Sequence, residues 1–143
     1  DIVVALHACD TATDHAIFHG ISSNAQHIFC APCCQHEIST QLKKSNTENA
    51  SLVSHGLFLQ KQADLVTDVS RTLLLESAGY KVKVLEFVSS EHSTKNTLIV
   101  ASKGVNSGKI NRKYQEYISL KKAFGFRQHT LADLLDAEWN QNG

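Results

Sequence analysis

Apolar residues fall along this chain in short runs, and the spacing inside each run differs from one to the next. Ile2 to Ala8 is almost unbroken apolar sequence, as expected of a parallel strand covered on both faces. The run gives way to Asp10-Thr11-Ala12-Thr13-Asp14. There Thr11 and Asp14 have the spacing of a capping box, which predicts a short helix to about Ile21. Ser22 to Gln26 reads as a turn and His27 to Ala31 as a second buried strand. Pro32 ends that strand because it has no N–H to donate. Ser39 to Ser51 is polar and reads as a surface loop. From about Leu59 to Ala78, Leu65, Val66, Val69 and Leu73 follow helical spacing, and Gly79 is the expected C-cap. Tyr80 to Val88 alternates, with Val82, Val84 and Glu86 on one face and Lys83, Leu85 and Phe87 on the other. A polar loop from Glu91 to Asn96 leads to a fourth strand, Thr97 to Ala101. Helices near Arg112–Phe124 and Leu131–Glu138 follow.

Strands separated by helices predict right-handed parallel crossovers. The last two strands are joined by a loop too short for a crossover, so they are expected to be antiparallel. The fold class expected is α/β, a mixed sheet with parallel strands and one antiparallel strand. Residues 1–103 would build the sheet, and residues 104–143 would form a C-terminal helical extension.

The 143 residues leave room for one domain and one core. No apolar run approaches the roughly 18 residues that cross a bilayer, so no membrane partner is expected. With a formal net charge of +0, no global field draws the molecule onto nucleic acid. The sequence contains no methionine, and Asp1 leads straight into an apolar strand, so the chain reads as part of a longer one. Cys9, Cys30, Cys33 and Cys34 come without any secretory feature and are expected to be reduced thiols of a cytoplasmic protein.

Three polar segments each follow a strand: His7 to Thr11, Pro32 to Glu37, and Glu91 to Asn96. If those strands are parallel, all three emerge at one carboxyl edge, where open α/β sheets bind ligands. Within and between them, LHACDTATD, PCCQHE, His55-Gly56, ADLVTDVSRTLLLESAGYKV and EFVSSEHSTKN occur in order. Together, over about residues 1–103, they resemble a family of class I S-adenosylmethionine-dependent methyltransferases, similar to the eukaryotic tRNA 2′-O-methyltransferases of the acceptor stem. The resemblance implies the C-terminal half of a Rossmann-like domain, with the Thr97–Ala101 strand between the His27–Ala31 and Tyr80–Val88 strands. It implies S-adenosyl-L-methionine as cofactor, with His7, Ala8 and Cys9 beside the transferable methyl group. It also implies that Thr11, Pro32, Cys33, Cys34, Gln35, His92, Lys95 and Asn96 shape the acceptor pocket, with RNA one candidate acceptor. The family's Gly-rich loop and acidic ribose partner have no counterpart here. The missing N-terminal half is therefore an expected partner, paired along an open edge of the Ile2–Ala8 strand.

Methyl transfer is an in-line displacement in which positioning supplies much of the rate. A base is needed only for a weak nucleophile, and His7, Asp10 and His36 are the candidates. Blander readings stand beside these. Asp10 and Asp14 suit helix caps, Cys33 and Cys34 suit small core residues, and Asp68 and Arg71 suit an ordinary surface pair. Cys30-Ala-Pro-Cys33 reads as a thiol redox motif, but Cys30 lies within the predicted strand. A zinc site among the cysteines is a further alternative. Against it, adjacent Cys33 and Cys34 on a strand end would point apart, so no metal is expected. A non-catalytic RNA-binding module is the remaining one. Lys103, Lys109, Arg112, Lys113, Lys121, Lys122 and Arg127 face a single acid, Glu116, with Tyr114, Tyr117 and Phe124 interleaved.

Overall fold

The computed structural model describes residues 1–45, 50–87, 95–104 and 107–143. Strand β1 (Ile2–Leu6) leads into helix α1 (Thr11–Ser22), and β2 (His27–Ala31) into α2 (Glu37–Lys44). A short 3-10 turn at Ala50–Val53 precedes the long α3 (Gly56–Ser77). Then come β3 (Tyr80–Glu86), β4 (Thr97–Lys103), α4 (Ser107–Phe124) and α5 (Thr130–Asn142). The sheet order is β1-β2-β4-β3. β1 and β2 are parallel, and β4 is antiparallel to both its neighbours. β1, β2 and β3 therefore point the same way, and β4 alone is reversed, between β2 and β3 as expected.

One face of the sheet carries the core. Ile28 and Cys30 of β2, and Ile99 and Ala101 of β4, meet Ile17 of α1 and Leu74 and Leu75 of α3, all 0–1% exposed. α1 lies so close to the sheet that a Cβ on Gly20 would fall 2.7 Å from Ile28 Cδ1. The Tyr80 hydroxyl, buried at the start of β3, donates to the Ala25 carbonyl at 2.8 Å and ties the hairpin to the α1–β2 turn. α4 packs on α3 and α5 on α1. They add Tyr117, Leu131 and Leu135 to the same core.

Three expectations are corrected. Part of the 39–51 stretch is α2, not loop: Ile38 and Leu42, one turn apart, are buried, and the polar residues between them face outward. Asp14 caps nothing. It is buried in α1, and no side chain caps that helix. Lastly, β1 is covered on one face only, since Ala5 turns inward while Ile2, Val4 and Leu6 are 62%, 57% and 60% exposed. β1 is also an edge strand, hydrogen-bonded to β2 alone. Among the described residues, no helix is long and apolar enough to cross a membrane.

Candidate active site

At the carboxyl ends of β1 and β2 the chain turns abruptly. His7 and Asp10 adopt φ of 54° and 48°, left-handed values that L-residues hold only when their surroundings compel them. Those surroundings are visible as hydrogen bonds. His7 N–H donates to the Ala31 carbonyl at 3.1 Å, and Asp10 N–H donates to the Cys34 carbonyl at 2.8 Å. In return, Asp10 Oδ1 accepts from the N–H groups of His36 and Glu37, at 2.9 and 3.3 Å. The two strand-end segments are thus laced together, and the Asp10 carboxylate caps α2 from across the gap, satisfying N–H groups that the helix start leaves open.

Below the loops sits a buried charge network. Arg71 reaches from α3 with Nε and Nη2 each 2.9 Å from an oxygen of Asp14, a bidentate pair. Its Nη2 also donates to the Asp10 carbonyl at 3.0 Å, and its Nη1 to Asp68 at 3.1 Å. Asp68 in turn meets Lys95 Nζ at 3.1 Å. Burial alone would lower the Arg71 pKa, but Asp14, with Asp68 and Cys30, offsets this and the net direction is upward. The network joins α1, α3 and the end of the β3–β4 connection, and it holds the Asp10 turn from beneath. Asp68 and Arg71 are therefore no surface pair. The usable sign was Arg71 itself, a single charge on the stripe that holds Thr67, Leu74 and Leu75.

The sequence-predicted residues divide accordingly. His7, Cys9, Cys33 and His36 are exposed at this edge, with Ala8, Asp10, Thr11 and Cys34 half-buried. Pro32 and Gln35 are buried and present no surface to a substrate. Gln35 Oε1 accepts from Ile38 and Ser39 N–H, both at 3.2 Å, and serves as a second cap of α2. Lys95 and Asn96 line a groove of about 700 Å³ together with Cys33, Cys34, Leu65 and Val84. His92 lies outside the described residues. Of the three segments expected to converge, two are joined directly, and the described end of the third, Lys95–Asn96, shares the groove with Cys33 and Cys34 of the second.

The cysteines also fall into place. Cys30 is sealed in β2, where burial pushes its thiol up to about 12, while Cys33 is exposed. Cys9 is pushed up to about 11 by its hydrogen bond to the Cys34 thiol and by the charges of Cys34 and Cys33 beside it. The three sulfurs lie within 4.8 Å of one another. Cys33 and Cys34 lie beyond the end of β2, in irregular backbone that lets both side chains reach Cys9, so the expectation that they point apart does not hold.

On α4, Tyr117 is buried and Phe124 packs against the core, while the Tyr114 hydroxyl donates to Asp136 at 3.2 Å. The interleaved aromatics face inward and form no stacking platform.

Two comparisons with known proteins bear on this edge. Residues 1–41 match the family model of a methyltransferase domain. That span covers β1, α1, β2 and the first turn of α2, the stretch that carries both laced loops. The chain also resembles glutathione S-transferase C-terminal domain-containing proteins. The human protein is 30% identical, with 70% of this chain and 19% of the relative covered. The mouse and bovine proteins are 32% and 28% identical over the same shares. The chain spans about a fifth of the length of these curated relatives. No solved structure matches it.

Proposed function

We propose that this chain is the C-terminal half of an S-adenosylmethionine-dependent methyltransferase domain whose acceptor is RNA. The carrying observation is a coincidence of place: the residues that match a methyltransferase domain are those whose strand-end loops are held together at the sheet's carboxyl edge. S-adenosyl-L-methionine would supply a methyl group activated by its sulfonium charge. His7, Ala8 and Cys9, open at the end of β1, fit one wall of its site. Among the described residues of the two laced loops no acid is free for a ribose, since Asp10 caps α2 and Glu37 binds Thr130. The other wall would come from the N-terminal half of the domain, seated against the bare β1 edge and the exposed Ile2, Val4 and Leu6.

Within this reading Asp10 orients the two loops, and exposed His7 or His36 takes the acceptor proton where one must leave. Lys109, Arg112, Lys122 and Arg127, exposed on and after α4, give RNA phosphates a cationic surface. With the inward-facing aromatics, the chain keeps features of a charged RNA contact and loses those of a base-stacking module.

The test is transfer of a labelled methyl group from S-adenosylmethionine to bulk tRNA by the full-length protein, with both halves of the domain, measured together with melting temperature. His7→Ala should cut turnover by about 10²-fold with an unchanged melting temperature. Asp10→Asn, which keeps an oxygen for the α2 N–H groups but removes the charge, should retain the fold and lower turnover. Normal turnover in both variants would refute the site. Turnover lost only in step with a collapsed melting temperature would leave both residues with purely structural roles. Labelling of protein with no labelling of RNA would overturn the acceptor.

A further inference from the structure

We propose that Cys9, Cys33 and Cys34 form a three-thiolate site for a soft divalent cation, zinc being the biological one. Their sulfurs all lie within 4.8 Å of one another. Tetrahedral zinc at about 2.3 Å from each sulfur would need them about 3.8 Å apart. The difference is within reach of side-chain rotation, and Cys9 and Cys33 are exposed and free to adjust.

The backbone that carries them is fixed in advance. Asp10 N–H bonds the carbonyl of Cys34, and the Asp10 carboxylate binds the two residues that follow Gln35. The Arg71 guanidinium holds the Asp10 carbonyl from below. Cys9 itself sits between His7 and Asp10, both in left-handed conformations. Strain at two residues flanking one ligand, maintained by hydrogen bonds to the segment bearing the other two, is a costly way to place unliganded thiols. It is an ordinary way to preorganise a metal site. Thiolates select soft and borderline cations over magnesium or calcium.

Three protein ligands leave a fourth position, which is the arrangement of catalytic rather than structural zinc. Cys33 and Cys34 also line the groove of about 700 Å³, so that position adjoins the space an acceptor would enter. Cys30, sealed in the core, takes no part and serves as the internal control. The site stands on its own geometry and does not depend on the methyl-transfer reading.

The experiment is titration of the reduced, metal-free protein with cobalt and with zinc. Cobalt should bind at equimolar ratio with the near-ultraviolet charge-transfer absorption of several thiolates and the visible bands of tetrahedral cobalt. Zinc should displace it. Cys9→Ser, Cys33→Ser and Cys34→Ser should each lose the charge-transfer intensity, and Cys30→Ala should keep it. A second readout needs no variant: equimolar zinc should protect Cys9, Cys33 and Cys34 from alkylation, followed residue by residue by mass spectrometry. Alkylation of all three at the same rate with and without zinc would overturn the site. So would cobalt bound without a thiolate signature, or a Cys9 disulfide that persists under reductant.

Discussion

Arg71 is 1% exposed and keeps its charge in the interior because the Asp14 carboxylate meets it with two hydrogen bonds. Removing one partner of such a pair strands the other charge in the core. Arg71→Ala should therefore lower the unfolding free energy by about 3–5 kcal/mol, read by urea denaturation. It should also loosen the Asp10 turn, seen as faster hydrogen exchange at the Asp10 and His36 amides. His129 tests burial from the opposite side. It is 0% exposed, and burial pushes its imidazole down from 6.5 to about 4, with the nearby Arg71 and Lys121 charges acting with burial and Asp14 against it. Because the folded value lies below the unfolded one, the unfolded chain takes up the proton first as pH falls. Stability that is full above 6.5 should decline toward 4, by about 3 kcal/mol in all. His129→Phe should flatten that part of the stability–pH curve measured by denaturant titration. An unchanged slope would place the lost stability on other groups.

At the scale of elements, α2 is the connector. Its N-terminus is capped by Asp10 and Gln35. Its Glu37 binds Thr130 at the start of α5, and its Gln41 side-chain Oε1 accepts from Arg127 and Gln128 N–H at 2.8 and 2.9 Å. One eight-residue helix therefore links the loop at the end of β2 to the last helix of the chain. Its apolar grip is short, Ile38 and Leu42 alone, so each counts heavily. Leu42→Ala should destabilise by about 2–5 kcal/mol in thermal or urea unfolding. Leu57→Ala at the start of α3, where the side chain is 65% exposed, should stay within about 0.5 kcal/mol. Equal effects would show that α2 is not anchored by its buried pair.

At the scale of the whole molecule, the two faces of β1 differ. α1 and α3 cover one face of the sheet, while Ile2, Val4 and Leu6 point to solvent from the opposite face of the edge strand β1, which pairs with β2 alone. Such a surface favours association. Residues 1–143 expressed by themselves should scatter light increasingly with concentration. Val4→Lys with Leu6→Lys should suppress this while moving the unfolding midpoint little, because neither side chain is in the core. If the wild-type chain stays monomeric at high concentration, this surface needs no cover. In the proposed methyltransferase it is where the cofactor-binding half would dock, so the same chain should bind S-adenosylmethionine only weakly in calorimetric titration.

Most elements were legible in the sequence because their causes are local. The His27–Ala31 strand carries its apolar run and its proline stop, and α3 its helical spacing. β4 follows β3 after a connection too short for anything but a reversal, and the position of the paired loops at one sheet edge follows from that order. What the sequence left undecided depends on partners far along the chain. Asp14 has the spacing of a cap and becomes half of a buried ion pair because Arg71, distant in sequence, is folded against it. Ser39 to Lys44 looks polar enough for a loop and becomes helix because the Asp10 and Gln35 side chains satisfy its first N–H groups and the core takes Ile38 and Leu42. Cys33 and Cys34 would diverge on a regular strand and converge on Cys9 only because the chain has already left the strand. Periodicity reports which face of an element is apolar. Which charge meets which, and which thiols share a corner, is decided only when distant segments pack and each buried polar group must find a partner.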